Sequence, residues 1–335
     1  MNWVALDIGG ANLKAADGRS FAVTQPFPLW QRPSHLAEAL RALLAAARGC
    51  DHVAATMTGE LADCFRTKAE GVQFIIGALE SAADSRHTRV YLTSGALVTP
   101  RVALKQPLLA AASNWHALAR FAGRWARSGV GLLIDIGSTT CDIIPLVDGK
   151  PVSMGRTDTK RLASGELVYT GIERSPVCAL VRSVPYRGRK CPVAQELFAT
   201  TWDVYLLLGD LPEEPECAHT ADRRPATKQF ARERLARMIC ADSATFSDAD
   251  ALAVARHVAN MQLARVAVAA AHVINRLNAV PETVVLSGRG EFLARRALAK
   301  LQLAPRIVSL AEELGPDLSR CAAAHALAVL AREGG

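Results

Sequence analysis

The sequence predicts an α/β protein of two lobes around a cleft. Two observations carry that expectation. A strand–turn–strand unit is written twice: Asp7-Ile8-Gly9-Gly10-Ala11-Asn12 follows the apolar run Val4-Ala5-Leu6, and Asp135-Ile136-Gly137-Ser138-Thr139-Thr140 follows Val130 to Ile134. The two turns start 128 residues apart, a separation that suits a duplicated α/β domain and not a short solenoid repeat. Such turns present backbone N–H groups and small hydroxyls to phosphate, with a carboxylate beside them for a metal. Two facing phosphate loops make a cleft of the kind that binds ligands between halves.

The elements follow in order. Residues 3–8 and 13–16 read as a hairpin around the first turn. Pro33-Ser34 announces an Ala/Leu-rich helix from Leu36 to Ala47. His52 to Met57 reads as a strand ending in Thr58-Gly59-Glu60, with a helix expected from Leu61. Val90 to Thr93 is a short strand, and Ser113 an expected N-cap for a helix from Trp115 to Arg127. The second unit runs Gly131 to Ile136, turn, then Cys141 to Val147, with Asp148-Gly149 as a tight turn. Residues 155–247 read as an irregular insertion bearing short helices and substrate loops. A long Ala/Val-rich stretch, Asp248 to Asn278, is one helix or two. Glu282 to Leu286 is a strand, Ser287-Gly288-Arg289-Gly290 a glycine loop, and Glu291 opens a helix. The expected lobes are 1–128 and 129–335, with an amphipathic helix over 318–333 packing back on the first.

Composition narrows the function classes. Apolar residues make up 50% of the 335, ample for real cores, while aromatics at 5% are too sparse for single-strand stacking platforms, so no nucleic acid is expected. The net charge of +7 comes from scattered basic residues. No apolar run approaches the ~20 residues that span a bilayer, and no basic leader precedes the first strand. Eight cysteines without a CxxC pair read as reduced thiols, so a cytoplasmic protein is expected. Cys178, Cys191, Cys217 and His219 match no standard zinc spacing.

Asp7 ends a buried strand, where a carboxylate is costly unless paired, hydrogen-bonded or bound to metal. Alone it reads equally as a turn-capping residue and as a functional carboxylate; its echo at Asp135 favours the functional role. Gly9, Gly10 and Gly137 permit positive φ and close backbone approach. Ser138, Thr139 and Thr140 offer hydroxyls to phosphate oxygens, and Asn12 and Lys14 can add donors from the first hairpin. Lys14 reads equally as a solvated strand residue. Asp142 reads equally as a second metal or base carboxylate and as a hydrogen-bonded strand-end residue. Ser287 and Gly288 open a helix N-terminus suited to an anion. Glu60 and Asp63 read as first-turn helix acids, with Glu60 the more open to a role. Asn114 caps or lines a pocket beside a core tryptophan. Arg156, Asp158, Arg161, Glu166, Arg174 and Asp222-Arg223-Arg224 together can clamp an anionic substrate, although each alone reads as a solvated surface group.

Asp7-Ile8-Gly9-Gly10, Asp135 to Thr140 and Leu286 to Gly290 resemble the phosphate-one, phosphate-two and adenosine-type motifs of the acetate and sugar kinase, Hsc70 and actin superfamily. The resemblance implies two RNase H-like lobes with a central cleft. With Thr58 to Asp63, Ser113-Asn114-Trp115 and Cys141 to Pro145, the chain further resembles the hydantoinase/oxoprolinase-like branch. Within that branch it resembles the methanofuran-biosynthesis synthases linked to tetrahydromethanopterin-dependent one-carbon transfer.

That resemblance implies a synthase and not a kinase. An aminomethyl-furanyl-methyl diphosphate is joined to the phenol oxygen of a γ-glutamyltyramine-like or tyrosine-derived acceptor, diphosphate leaves, and a methanofuran or methylofuran precursor forms. It implies Mg²⁺ held through Asp7 and Asp135, the turn donors on diphosphate, and Asp142 or Glu60 as base. Asn114, Arg161, Glu166 and Arg289 are the expected substrate contacts, Arg289 crowding a nucleotide base or reaching an anion. An ATP-dependent kinase or oxoprolinase-like enzyme, and a non-catalytic nucleotide-binding protein, are the competing readings; a homodimer is left open.

Overall fold

The computed structural model describes residues 1–47 and 49–334, so Gly335, the end of the second expected lobe, lies outside the described residues. The first sheet holds β1 (Trp3–Ile8), β2 (Asn12–Ala16), β3 (Ala22–Pro26), β4 (His52–Met57), β5 (His87–Tyr91) and β6 (Leu97–Val98), in the order β3-β2-β1-β4-β5-β6. β1 to β3 run antiparallel, and β1, β4 and β5 parallel.

The second sheet repeats the plan. β7 (Val130–Ile136) pairs antiparallel with β8 (Cys141–Val147), which carries β9 (Lys150–Pro151) and β10 (Leu167–Val168). A separate ribbon, β11 (Ser183–Tyr186) and β12 (Arg189–Pro192), belongs to the insertion. β13 (Thr283–Ser287) lies parallel to β7, and β14 (Arg306–Ser309) parallel to β13. The sheet order is β10-β8-β7-β13-β14, so β1, β2, β4 and β5 correspond to β7, β8, β13 and β14. The chain is two RNase H-like lobes of the acetate and sugar kinase/Hsc70/actin superfamily.

β1, β4, β7 and β13 are nearly continuous apolar runs because helices cover both faces. Two helices, Asn114–Ala122 and Ala322–Gly334, lie between the sheets. Ala117, Leu327, Ala328 and Ala331 pack on Trp3, Ala5 and Tyr91, while Leu118, Ala119 and Ala322 share a core with Leu133, Ile144 and Val285. Small alanines let the two helices approach both sheets closely.

Three boundaries differ from the sequence expectation. The helix expected from Leu61 begins at Lys68, because Thr67 caps it by accepting from the Glu70 N–H while Glu70 accepts from the Arg66 N–H. Glu60 is therefore a turn residue, not a first-turn helix acid. The helix after Ser113 ends at Ala122 and tightens into a 3₁₀ turn over Gly123–Trp125, where a side chain on Gly123 would strike the Gly149 backbone. The last helix is broken at Cys321, whose thiol lies 3.2 Å from the Thr24 hydroxyl. The long stretch from Asp248 is one helix to Asn275, opened by a Ser247/Asp250 capping box.

Candidate active site

The two turns are built alike. The Gly9 N–H donates to the Asn12 carbonyl at 3.0 Å and the Gly137 N–H to that of Thr140 at 2.9 Å. The loop after the neighbouring parallel strand then closes on each turn: the Thr58 and Gly59 N–H groups donate to the Ile8 carbonyl, and the Gly290 N–H to the Ile136 carbonyl. None of Gly9, Gly10 and Gly137 adopts positive φ; of the two uses a glycine permits here, close backbone approach is the one Gly9 shows. Gly9 is needed for space, since a Cβ there would meet the Asn12 carbonyl at 2.7 Å. The left-handed glycine is Gly288, at φ +83, where a Cβ would lie 2.3 Å from the Ile136 oxygen.

Register places the charged groups. Asp7 is flanked by Lys14 on β2 and Thr56 on β4; Asp135 is flanked by Asp142 on β8 and Ser287 on β13. Burial pushes the Asp7 carboxyl above its usual range, against the pull of Lys14 and the Thr56 hydroxyl. Burial pushes Asp135 up to about 6, with Asp142 and Asp7 adding to the rise and Ser287 and Lys14 opposing it. Lys14 thus serves carboxylates of both lobes, and it does not offset the burial of either.

That shortfall of positive charge fits a divalent cation between Asp7 and Asp135. Among the described residues no group of three His, Cys, Asp or Glu forms a protein cage for a metal. Two carboxylates are a number through which Mg²⁺ can be held, waters and substrate phosphates completing its shell.

The second turn rests on a braced loop. The Ile172 N–H donates to the Gly137 carbonyl, and the Glu173 and Arg174 N–H groups to that of Ser138. Gly171 lies flat beneath, where a Cβ would come within 2.4 Å of the Ser138 carbonyl carbon. The Gln262 side chain and the Thr201 hydroxyl each donate to the Gly171 carbonyl at 2.8 Å, and Tyr205 donates to Gln262. The Ser138 and Thr139 hydroxyls lie 3.3 Å apart on this support.

On the other side of the cleft, Glu60 is 1% exposed, and one of its carboxyl oxygens has no hydrogen-bond partner. Burial raises its pKa to about 7, with Lys68 and the Ala112 N–H opposing and Asp158 adding to the rise. Gly59 ties it to the first turn: a Cβ on Gly59 would meet the Gly9 backbone at 3.2 Å. Asp142 differs. It is buried in an ion pair with Arg161, whose guanidinium also reaches Asp158 at 3.3 Å and stacks 4.2 Å over the Trp115 ring.

A family model described as hydantoinase/oxoprolinase matches residues 51–332. The chain is 34% identical over 330 residues to the "(4-{4-[2-(gamma-L-glutamylamino)ethyl]phenoxymethyl}furan-2-yl)methanamine synthase" of Methanocaldococcus jannaschii, covering 98% of this chain and 96% of that one. The chain belongs to the hydantoinase/oxoprolinase family, in the branch of this synthase. A Methanococcus vannielii synthase of the same name is 30% identical over 201 residues, covering 59% of this chain and 89% of that one. A PilM-PilN type IV pilus biogenesis complex aligns over 98% of both chains at 13% identity with a TM-score of 0.51, which speaks for the fold alone.

For this synthase-branch chain, the side chains expected in a substrate clamp divide. Arg161 and Glu166 are not surface groups: they are 2% and 0% exposed. Glu166 is saturated by the Ser153 hydroxyl, the Met154 and Gly155 N–H groups and Arg276, and so fixes the insertion rather than facing a ligand. Arg289 is held by Glu173 at 2.8 Å and Glu214 at 3.1 Å, so its charge is already answered within the protein. Asp222 and Arg224 join Arg234, Arg237 and Glu233 in an internal network, and Arg174 lies 5.6 Å over Trp30 of the first lobe. The Asn114 side-chain oxygen Oδ1 accepts from the Trp115 N–H at the start of its helix. No sequence motif marks Gly171, Glu173, Lys68 or Gln262. Their roles rest on spatial packing that no local pattern reveals.

Proposed function

We propose that this chain catalyses the ether-forming step of methanofuran or methylofuran biosynthesis. It transfers an aminomethyl-furanyl-methyl group from its diphosphate to the phenol oxygen of a γ-glutamyltyramine-like acceptor. The observation that carries the reading is the uncompensated pair Asp7 and Asp135, beside the hydroxyls of Ser138, Thr139 and Thr140. This is a site for a metal-bound anion, in a chain similar over nearly its whole length to a named synthase.

Asp7 and Asp135 would hold Mg²⁺, which would supply charge neutralisation for the departing diphosphate. Gly10, Asn12 and the three hydroxyls orient the diphosphate through N–H and O–H donors, Lys14 adds a point charge, and Gly9 and Gly137 shape the turns, their own N–H groups closing onto Asn12 and Thr140. Ser287, at the end of β13, stands in register beside Asp135, and Gly288 lets the following loop pass close to that carboxylate. Fixed donors of this kind need no reorganisation as charge develops on the leaving group. The furan ring shares positive charge at the reacting carbon. The bond from that carbon to the diphosphate oxygen breaks, and diphosphate keeps the electron pair. The phenol oxygen forms the new carbon–oxygen bond, and its proton passes to the Glu60 carboxylate.

Glu60 is preferred to Asp142 as base because it keeps an unpartnered oxygen, while Asp142 is bound to Arg161. Its raised pKa near 7 narrows the gap to a phenol near 10.

The test is incubation of the purified protein and Mg²⁺ with the furanylmethyl diphosphate and γ-glutamyltyramine. The expected result is the coupled mass with one diphosphate released per ether. Turnover of ATP with no ether formed overturns the proposal in favour of the kinase reading.

A further inference from the structure

Behind Glu60 the two lobes meet around a second, smaller feature. Lys68, at the start of the Lys68–Ala83 helix of the first lobe, lies 3.6 Å from Asp158 of the second. Together with Leu108, Ala112 and Thr157 they line a cavity of about 220 Å³. This is below the range of about 300–1,000 Å³ typical of whole-ligand pockets, and suits a head group.

Three further observations converge on it. The Ala112 N–H is directed at the Glu60 carboxyl, so the cavity adjoins the base. Ala112 holds φ +47, a left-handed conformation unfavourable for alanine, and such strain concentrates at ligand sites. The Ser113 hydroxyl beside it is fully buried without a partner, and so is one Glu60 oxygen.

We propose that this cavity binds the zwitterionic α-amino-acid head of the acceptor, its ammonium on Asp158 and its carboxylate on Lys68. The inference rests on the ether-forming reading and assigns the residues that hold the head group of its acceptor. One cation and one anion stand side by side, each about a quarter exposed, from opposite lobes. A ligand bearing one of each replaces the pair without leaving either charge unanswered, whereas a ligand of single charge strands one partner. Leu108 and Ala112 provide the apolar wall for the linker between head and phenol. Because Arg161 also touches Asp158 while holding Asp142, the head group lies one residue away from the buried pair beside Asp135. Occupying it bridges the two lobes through Lys68 and Asp158.

The test uses the full chain and three amides of tyramine: γ-glutamyl, glutaryl (no ammonium) and 4-aminobutyryl (no carboxylate). Dissociation constants come from calorimetry and need no turnover. The γ-glutamyl amide is expected to bind at least tenfold more tightly than either single-charge analogue. Asp158→Asn is expected to abolish the preference for the ammonium, and Lys68→Met that for the carboxylate. Equal affinity for all three, or no binding of any, overturns the inference. So do variants that weaken the three amides equally. Coupling of all three at equal KM overturns it while leaving the reaction standing. Charge-selective binding without coupling to the furanylmethyl diphosphate supports the head-group site and overturns the reaction.

Discussion

Lys14 and Asp142 occupy the same register position in the two lobes, opposite Asp7 and Asp135 respectively, and carry opposite charge. The duplication is therefore symmetric in backbone and asymmetric in electrostatics. The first lobe brings a cation to the cleft. The second brings an extra anion, which Arg161 must answer from a position stacked on Trp115.

Removing that guanidinium is expected to be severe. Arg161→Met leaves Asp142 buried without its partner, at a cost of about 3–5 kcal/mol. Denaturant unfolding measures it. The double variant Arg161→Met, Asp142→Asn is expected to recover most of the loss, because no buried charge is left unpaired.

Asp7→Asn and Asp135→Asn are expected to lower the coupling rate by roughly 10²–10³-fold, the range for removing a preorganised electrostatic contact. Both should also stabilise the metal-free protein. The folded pKa of Asp135 is raised from 3.8 to about 6. Its contribution to stability is therefore full below pH 3.8 and lost as pH rises through about 6. Asp7 shifts in the same direction. Thermal unfolding at neutral pH without Mg²⁺ should give higher midpoints for the variants.

Glu60 governs the pH dependence. As a base with pKa about 7, it should make kcat/KM rise with pH to a plateau above that value. Glu60→Gln should remove this limb and reduce kcat by roughly 10²–10⁴-fold. The shift from 4.5 to about 7 means stability is lost as pH rises through that window, on the order of 3 kcal/mol. Glu60→Gln should consequently be the more stable protein at pH 8.

Gly171→Ala probes the support under the second turn. The new Cβ meets backbone, which has no flexible end to move aside. Displacement of Ser138 and Thr139 is expected to reduce kcat/KM for the diphosphate at least tenfold, while the acceptor's dissociation constant stays unchanged. Separate titration of the two substrates checks this.

Much of this was legible in the sequence because the chemistry is local. Asp7, Asp135, the glycine turns and the Ser287 loop each sit in a short strand–turn unit whose pattern survives in one dimension, and the apolar runs give the central strands. Strands of two to four residues such as β10 and β14 carry too little periodicity to be read. Buried Arg161 and Glu166 read as surface charges because their partners, Asp142, Trp115 and Arg276, lie 19 to 110 positions away. Glu60 was placed on a helix because nothing in Leu61 to Arg66 announces that the Thr67 cap delays it.

The central claim is that the paired turns hold a leaving diphosphate, so that the bond broken is the one between carbon and oxygen. A heavy-oxygen label at the bridging position of the furanylmethyl diphosphate tests it most directly. Mass analysis after coupling should find all of the label in released diphosphate, and none in the ether. Label retained on the furanylmethyl carbon would mean cleavage between phosphorus and oxygen, and would contradict the account.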